Sequence, residues 1–260
     1  MRTTSIDILQ SDYAMIKNWN DIYQWECVRM KGNTELLSEW LLNDFEKFNW
    51  SEKGLRNEGF FQNQHKGQCK LQTPIKQFTE KRFCYALFNS SLYPHFGEVI
   101  DYEIPLTATK QGKGKQSHGE IDFISKINKA LYFFEAKKAN SNESLLKAIL
   151  EIFVYVFRLA KFNRLEIFRK EYKISDDFLS IPAVMIFKNS TPGKQLIKMK
   201  NYPILLKLIS RINAEFNSVG ISKLEFYMVT NFEHNLSEVL TENKGFIRFK
   251  VKPKFEKVVL

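Results

Sequence analysis

The sequence has little cysteine and no long apolar run, and each shortage argues against a class of protein. Its three cysteines, Cys27, Cys69 and Cys84, are odd in number and widely spaced, and none stands in a Cys-x-x-Cys or Cys/His zinc spacing. The pattern therefore supports neither a disulfide framework nor a structural zinc site. The most apolar stretch, residues 145–160, is interrupted by three charged residues and is too short to span a bilayer.

Two familiar signals are also missing. The N-terminus has early acidic residues and no apolar run, so it does not read as a signal peptide. The glycine- and lysine-rich segment 110–118 lacks the spacing of a nucleotide-binding phosphate loop. We therefore expect a cytoplasmic protein with no membrane partner.

What the sequence does have is an uneven positive charge. The net charge is +10, but residues 1–60 carry −3 and the remaining 200 residues carry +13. A concentrated basic excess favours a polyanionic partner such as nucleic acid. A basic isoelectric point is also common in ordinary soluble proteins, so charge alone leaves both interpretations open.

The first 72 residues are predicted to form a helical extension and linker, followed by a domain over 73–260. Thr34 is a candidate N-cap for a helix through Leu42, and residues 51–72 are polar and glycine-containing. All four tryptophans fall within the first 60 residues. They either pack against the main domain or form a surface for a substrate or partner.

A helix is predicted from Thr73, its candidate N-cap, to about Leu92. Glu80 lies on the apolar face of this helix, with Phe83 and Leu87 at helical spacing. A carboxylate there either reaches out from the rim of the core or belongs to a functional site.

Two neighbouring strands, 119–124 and 131–137, carry acid where a buried strand should be apolar. Glu135 and Lys137 share a face because side chains alternate along a strand. Asp122 stands 13 residues before Glu135, a distance that suits a hairpin and would place the two carboxylates side by side. A bound cation or a partner charge would compensate such acids.

The rest of the chain alternates helix and strand. We predict a helix over 143–162 capped by Asn142 or Ser141, a strand over 181–187, and a right-handed crossover unit over 130–187. A basic helical segment split near Pro203 and a further strand follow.

The C-terminal segment alternates basic and apolar residues. Arg248, Lys250, Lys252 and Lys254 alternate with residues such as Phe249 and Val251, which predicts one strand with a wholly basic face. The strand is either a sheet edge protected by lysines or a track of phosphate contacts.

The order of these elements and motifs resembles the PD-(D/E)XK nuclease superfamily, an α/β fold with a mixed sheet and an α-β-β-β-α-β core. Residues 119–124 look like the family's aspartate strand, with Asp122 as the aspartate. Glu135-Ala136-Lys137 looks like its E-x-K motif, and Glu80 matches the acid on the first core helix. The resemblance covers about residues 73–190.

The helix after E-x-K adds a partial match. Glu151 and Tyr155 are similar to the Q-x-x-x-Y element of the exonuclease branch, although glutamate stands where that branch has glutamine. We treat these two residues, together with Glu120, as accessory.

The resemblance implies a Mg²⁺-dependent nuclease in which Mn²⁺ can substitute. Carboxylates are the oxygen ligands that Mg²⁺ prefers, and Asp122 and Glu135 would supply them. By resemblance the Ala136 carbonyl would be a third ligand, and Glu80 would hold a second ion or a water. Lys137, with a depressed pKa beside the cation, would orient or deprotonate the attacking water.

We expect DNA rather than RNA as the partner, and a homodimer is an arrangement often used by endonucleases of this family. The residues predicted to contact nucleic acid are basic: Lys113, Lys115, Lys138, Arg248, Lys250, Lys252 and Lys254.

Rival assignments exist for both motifs. Two further E-x-K matches, residues 171–173 and 242–244, do not end an apolar strand after a hairpin. Asp101 or Glu103, on a first strand predicted over residues 97–106, could replace Asp122 as the aspartate of the motif. At the level of function, the alternatives are a catalytically silent nuclease-fold module that binds nucleic acid or assembles with partners, and a structural buried ion pair.

Overall fold

The computed structural model describes residues 16–22, 28, 31–60, 80–90, 92–107, 119–232, 240–243 and 246–260. The helices are α1 (Trp19–Ile22), α2 (Thr34–Asn43), α3 (Glu80–Phe88), α4 (Leu145–Lys161), α5 (Arg164–Glu171), α6 (Thr191–Ile197) and α7 (Pro203–Ser218). The strands are β1 (Glu98–Pro105), β2 (Glu120–Ile127), β3 (Ala130–Lys137), β4 (Leu179–Phe187), β5 (Glu225–Val229), β6 (Leu240–Asn243), β7 (Phe246–Phe249) and β8 (Phe255–Val258).

Six of these strands form one mixed sheet in the order β1-β2-β3-β4-β5-β8. The first three are antiparallel neighbours, β3, β4 and β5 are parallel, and β8 returns antiparallel at the edge. The mixed α/β fold predicted from the sequence is therefore confirmed. The parallel pairing of β3 with β4 also confirms the crossover unit, since parallel strands require such a connection.

Strand β3 is central and buries both of its faces. Leu131 and Phe133 pack in the hydrophobic core that contains α4. Tyr132 and Phe134 pack in a second core that contains α3. Alternate residues of one strand therefore serve opposite cores, as the side-chain period of two requires.

The N-terminal segment packs against α4 through aromatic rings. The Trp19 ring lies 5.2 Å from that of Phe153, and the Trp50 ring lies 4.5 Å from that of Phe157. The interpretation of the tryptophans as packing residues is confirmed for these two, while Trp25 lies outside the described residues. The domain boundary at residue 72 stays a prediction, because residues 61–79 also lie outside them.

Two predicted helix caps are wrong by a few residues. Helix α4 is capped by Ser144, whose Oγ accepts a hydrogen bond from the Lys147 amide, rather than by Asn142 or Ser141. Thr34 is the first residue of α2 instead of its cap, and its hydroxyl accepts a hydrogen bond from the Gln195 amide. A tertiary contact therefore engages the Thr34 side chain, whereas the cap of α4 is a local hydrogen bond of Ser144.

The single basic strand predicted for the C-terminal segment is wrong. Its residues divide between β7, which pairs with β6 in a separate two-stranded sheet, and β8, which pairs with β5. Pro253 has no N–H to donate, and Asn231 bonds the carbonyl of Lys252 and the amide of Lys254. These bonds hold the chain in a turn between the two strands.

Within the residues that the structure describes, no helix has the length and apolarity needed to cross a membrane.

Candidate active site

The β2–β3 hairpin brings the predicted acids together. The register that pairs Phe123 with Phe134 places Asp122 alongside Glu135 and Ala136. Asp122 Oδ2 accepts a hydrogen bond from the Ala136 amide at 2.6 Å. A carboxylate thus takes the place of a backbone acceptor at this end of the hairpin, and it is held against the strand that carries the E-x-K motif.

Lys137 lies at the centre of a buried ion network. Its ammonium donates to Glu135 Oε1 at 2.7 Å and to Glu151 Oε2 at 2.6 Å, and it lies 3.2 Å from Glu143 Oε2. Glu135 and Lys137 therefore share a face, as the strand period predicts. Lys147 adds a second ammonium, 2.9 Å from Glu151 Oε1 and 3.1 Å from Glu143 Oε1.

Glu80 reaches the same region from the opposite core. Its Oε1 accepts a hydrogen bond from the Lys138 amide at 3.1 Å, so helix α3 is tied to the residue that follows the E-x-K motif. The carboxylates at this end of the sheet are Glu80, Asp122, Glu135, Glu143 and Glu151, against the two ammonium groups of Lys137 and Lys147. Carboxylates therefore outnumber ammonium groups in this largely buried region.

Burial and repulsion favour protonation of two of these acids. Burial raises the pKa of the Asp122 carboxyl to about 8; the Lys137 ammonium opposes this effect and the Glu80 carboxylate adds to it. Burial, followed by repulsion from Asp122 and Glu151, also raises the pKa of Glu135 well above its usual range. A cation near both would relieve this cost, because it favours their ionised forms.

Without a bound cation the pKa of Lys137 lies above its usual value, so the depression predicted beside a cation stays a prediction. Burial lowers this pKa, but the carboxylates of Glu135, Glu151 and Glu143 outweigh burial and raise it well above the usual value. Lys137 is accordingly an ammonium ion and a hydrogen-bond donor here. Burial raises the pKa of Glu151, but the two lysines that bind it outweigh burial, so the pKa lies below its usual value.

Tyr155 lies against the start of β2. Gly119 has φ +100°, and a Cβ built there would lie 2.9 Å from Tyr155 Cε1. Only glycine adopts this conformation and leaves room for the ring. The third accessory residue, Glu120, is exposed at the first position of β2.

Replacing Gly119 by alanine is expected to lower the free energy of unfolding by about 2–4 kcal/mol, since it combines backbone strain with a clash against a buried ring. Urea denaturation measures this. The matched control is Gly220→Ala, which has φ +74° and open space around the added Cβ, and so reports the backbone cost alone. Equal losses for the two variants would contradict the assigned contact with Tyr155.

The rival residues have other partners. Asp101 is fully buried, and its two oxygens accept hydrogen bonds from the Tyr172 hydroxyl and the Tyr102 amide. Glu103 forms an ion pair with Lys81. In the second E-x-K match, Glu171 accepts hydrogen bonds from two backbone amides of the N-terminal segment. These acids are engaged in holding the fold.

The predicted nucleic-acid contacts are scattered over the surface. Lys138 is exposed beside the acidic site, and Arg248, Lys250, Lys252 and Lys254 are exposed around the turn between β7 and β8. The turn also exposes Val251, so the segment has no separate apolar and basic faces. Lys113 and Lys115 lie outside the described residues.

Glu143 and Lys147 were not predicted as site residues. Glu143, Lys147 and Glu151 follow each other at a spacing of four, which aligns them on one face of a helix and its N-terminal approach. This spacing was the available signal. A surface ion-pair ladder has the same pattern, and only the packing of α4 under β3 shows that this one is buried.

The carboxylates offer oxygen donors for a hard divalent cation. Asp122 Oδ1, Glu135 Oε2 and Glu80 Oε2 accept no hydrogen bond within the described residues. These oxygens fit the chemistry of Mg²⁺, which takes one or two carboxylates with waters. No group of three His, Cys, Asp or Glu side chains in the described ranges is already arranged to hold a metal ion, so such binding would need side-chain adjustment.

Comparison of the chain with family models, with curated proteins and with solved structures gave no match.

Proposed function

We propose that the protein is a Mg²⁺-dependent nuclease with a restriction-endonuclease-like core that hydrolyses phosphodiester bonds, with DNA as the expected substrate. The observation that carries the proposal is the meeting of Asp122, Glu135 and Lys137 at the end of one hairpin, with Glu80 tied to the next residue. The order of α3, β1, β2, β3, α4 and β4 supports the fold part of the proposal.

Asp122 and Glu135 would hold the cation with the Ala136 carbonyl, and Glu80 would hold a second ion or a water. When bound, such a cation lowers the pKa of a coordinated water and neutralises charge on the phosphoryl group. The acidic excess makes the place suited to this role, because a divalent charge would stabilise the ionised carboxylates.

Lys137 would act as a fixed cation. Its ammonium is fixed in position by Glu135 and Glu151. It can therefore orient a water or a phosphate oxygen by hydrogen bonding with little further loss of conformational freedom. Glu151, with Lys147 behind it, is a positioning residue in this proposal, since it contacts Lys137 and not the reacting atoms.

One observation favours a second candidate, a catalytically silent module that binds nucleic acid. The Lys137 ammonium already compensates Glu135 and Glu151 at hydrogen-bond distance, so the network is balanced in part without a metal. The same observation fits a purely structural buried ion pair, which contributes little net stability.

Calorimetric titration with Mg²⁺ separates these candidates. We expect the native protein to bind Mg²⁺, and Asp122→Asn to bind it at least about tenfold more weakly, because one of the two principal carboxylates is lost. Asp177→Asn is the matched control, since Asp177 is an exposed aspartate paired with Lys129. Binding that is absent, or equal in all three proteins, would exclude the proposed metal site.

Activity is tested alongside with labelled linear, circular, single-stranded and double-stranded substrates in Mg²⁺ or Mn²⁺. Absence of cleavage of every DNA and RNA substrate would contradict the proposal even if the metal binds.

A further inference from the structure

A cleft of about 610 Å³ lies at the neighbouring carboxyl ends of the parallel strands β3 and β4. Its walls are the loop after β3 and the loop after β4. Its polar lining includes Asn140, Asn142, Asn189, Thr191 and Lys194. The volume is in the range of pockets that bind small molecules.

The cleft shares a wall with the acidic site. The loop after β3 is tied to that site at both ends, by the hydrogen bond of the Lys138 amide to Glu80 and by the ion pair of Glu143 with Lys137. A polymer whose reacting bond lies among the acids therefore passes next to the cleft.

The two walls are held rigidly. The Thr191 amide donates to the Ser141 carbonyl at 3.0 Å and joins the loops. Ser190 Oγ accepts from the Gly193 amide and donates to the Phe187 carbonyl. A Cβ on Gly193 would lie 2.1 Å from that same carbonyl, so only glycine allows this approach. The cleft is consequently formed before any ligand arrives.

The lining has the chemistry of a nucleotide site. The side chains of Asn140, Asn142 and Asn189 make no hydrogen bond within the described part of the chain, and each amide offers both donors and an acceptor. Such amides match the edges of nucleobases. Among the described residues of the lining, Lys194 is the single charged one, and these residues include no acid that would repel a phosphate and no aromatic ring for stacking.

We propose that this cleft binds one unpaired nucleotide of a nucleic-acid strand, next to the bond that is cut. The base must be unpaired because its hydrogen-bonding edge has to face the asparagines, and Lys194 contacts a flanking phosphate. Recognition by amides without stacking makes binding depend on the identity of the base. The position beside the cut bond rests on the proposed nuclease function, whereas nucleotide binding by the cleft does not.

The test is fluorescence anisotropy with labelled eight-nucleotide single strands and a matching duplex, with a chelator present so that no cleavage occurs. We expect Asn189→Ala and Lys194→Glu each to weaken single-strand binding by about tenfold. Lys198→Glu is the matched control: it makes the same charge change at the exposed C-terminal end of the same helix, outside the cleft lining. All three substitutions lie on exposed or half-buried side chains, and thermal melting verifies folding.

The inference is overturned if the protein binds no single strand, if Asn189→Ala binds like the native protein, or if the two lysine variants lose equal affinity. It is also overturned if the duplex shows the same losses as the single strand. Cleft-dependent binding without any cleavage in Mg²⁺ would leave the inference standing and remove the nuclease proposal. Cleavage in Mg²⁺, together with single-strand binding that the cleft variants do not weaken, would overturn the inference and leave the nuclease proposal standing.

Discussion

Lys137→Met is expected to lower the rate of Mg²⁺-dependent DNA cleavage by about 10³-fold. Methionine is an unbranched side chain one heavy atom shorter than lysine, and it removes the ammonium that Glu135 and Glu151 hold at 2.7 and 2.6 Å. The neighbouring Lys147 does not replace this ammonium, because it is directed to Glu143 and Glu151. Single-turnover cleavage of a labelled substrate measures the effect on the chemical step.

Two further variants make this result interpretable. Removing one partner of a buried ion pair costs about 3–5 kcal/mol, so Lys137→Met must be shown to be folded at the assay temperature. Lys137→Arg keeps the charge and the pairing but changes the geometry of the donors, and it should remain folded and slow. Lys126→Ala changes an exposed lysine on the neighbouring strand and should leave the rate unchanged. Cleavage by folded Lys137→Met at the native rate would remove Lys137 from the mechanism.

In the presence of a chelator, the protein is expected to lose stability as the pH rises from about 4 to about 8. The folded-state pKa of Asp122 is about 8, against 3.8 for an ordinary aspartate, because burial disfavours its charge. Between these values the folded protein keeps a proton that the unfolded chain has released, so rising pH favours unfolding. The stability contribution is thus fully present below the lower value and is lost as pH approaches the higher one.

Asp122→Asn should remove much of this dependence. Asparagine cannot ionise, and its Oδ1 can still accept the hydrogen bond of the Ala136 amide. Above pH 8 we expect the variant to be more stable than the native protein by at least about 2 kcal/mol, or roughly 5 °C in Tm, with no difference below pH 4. Thermal melts across this pH range measure the effect.

The control for this prediction is again Asp177→Asn. The hydrogen bond with Lys129 lowers the pKa of Asp177, so this exposed residue is not expected to yield a gain in stability at high pH. If Asp122→Asn were less stable than the native protein above pH 8, the ionised Asp122 carboxylate would stabilise the fold. The inferred destabilisation by the excess of carboxylates would then be wrong.

Much of the fold follows from local sequence. Apolar and β-branched runs marked strands such as β3 and β4, and amphipathic spacing marked α4, because the periods of strand and helix are visible in the chain itself. The C-terminal segment could not be predicted in this way. Its alternation is typical of one strand, but hydrogen bonds from Asn231, some twenty residues earlier, and the missing N–H of Pro253 divide it between two sheets.

The residues of the candidate site also fall into two groups, those that the sequence predicts and those that only packing brings together. The sequence by itself determined that Glu135 and Lys137 share a face and that Asp122 stands at hairpin distance, since strand period and loop length are local properties. Only the tertiary structure decided that Glu143 and Lys147 join them. Through the packing of α4 beneath β3, Glu143 meets Lys137, and Lys147 binds Glu151, which also holds Lys137. It also decided the direction of the Lys137 pKa, which depends on carboxylates that come from three different parts of the chain.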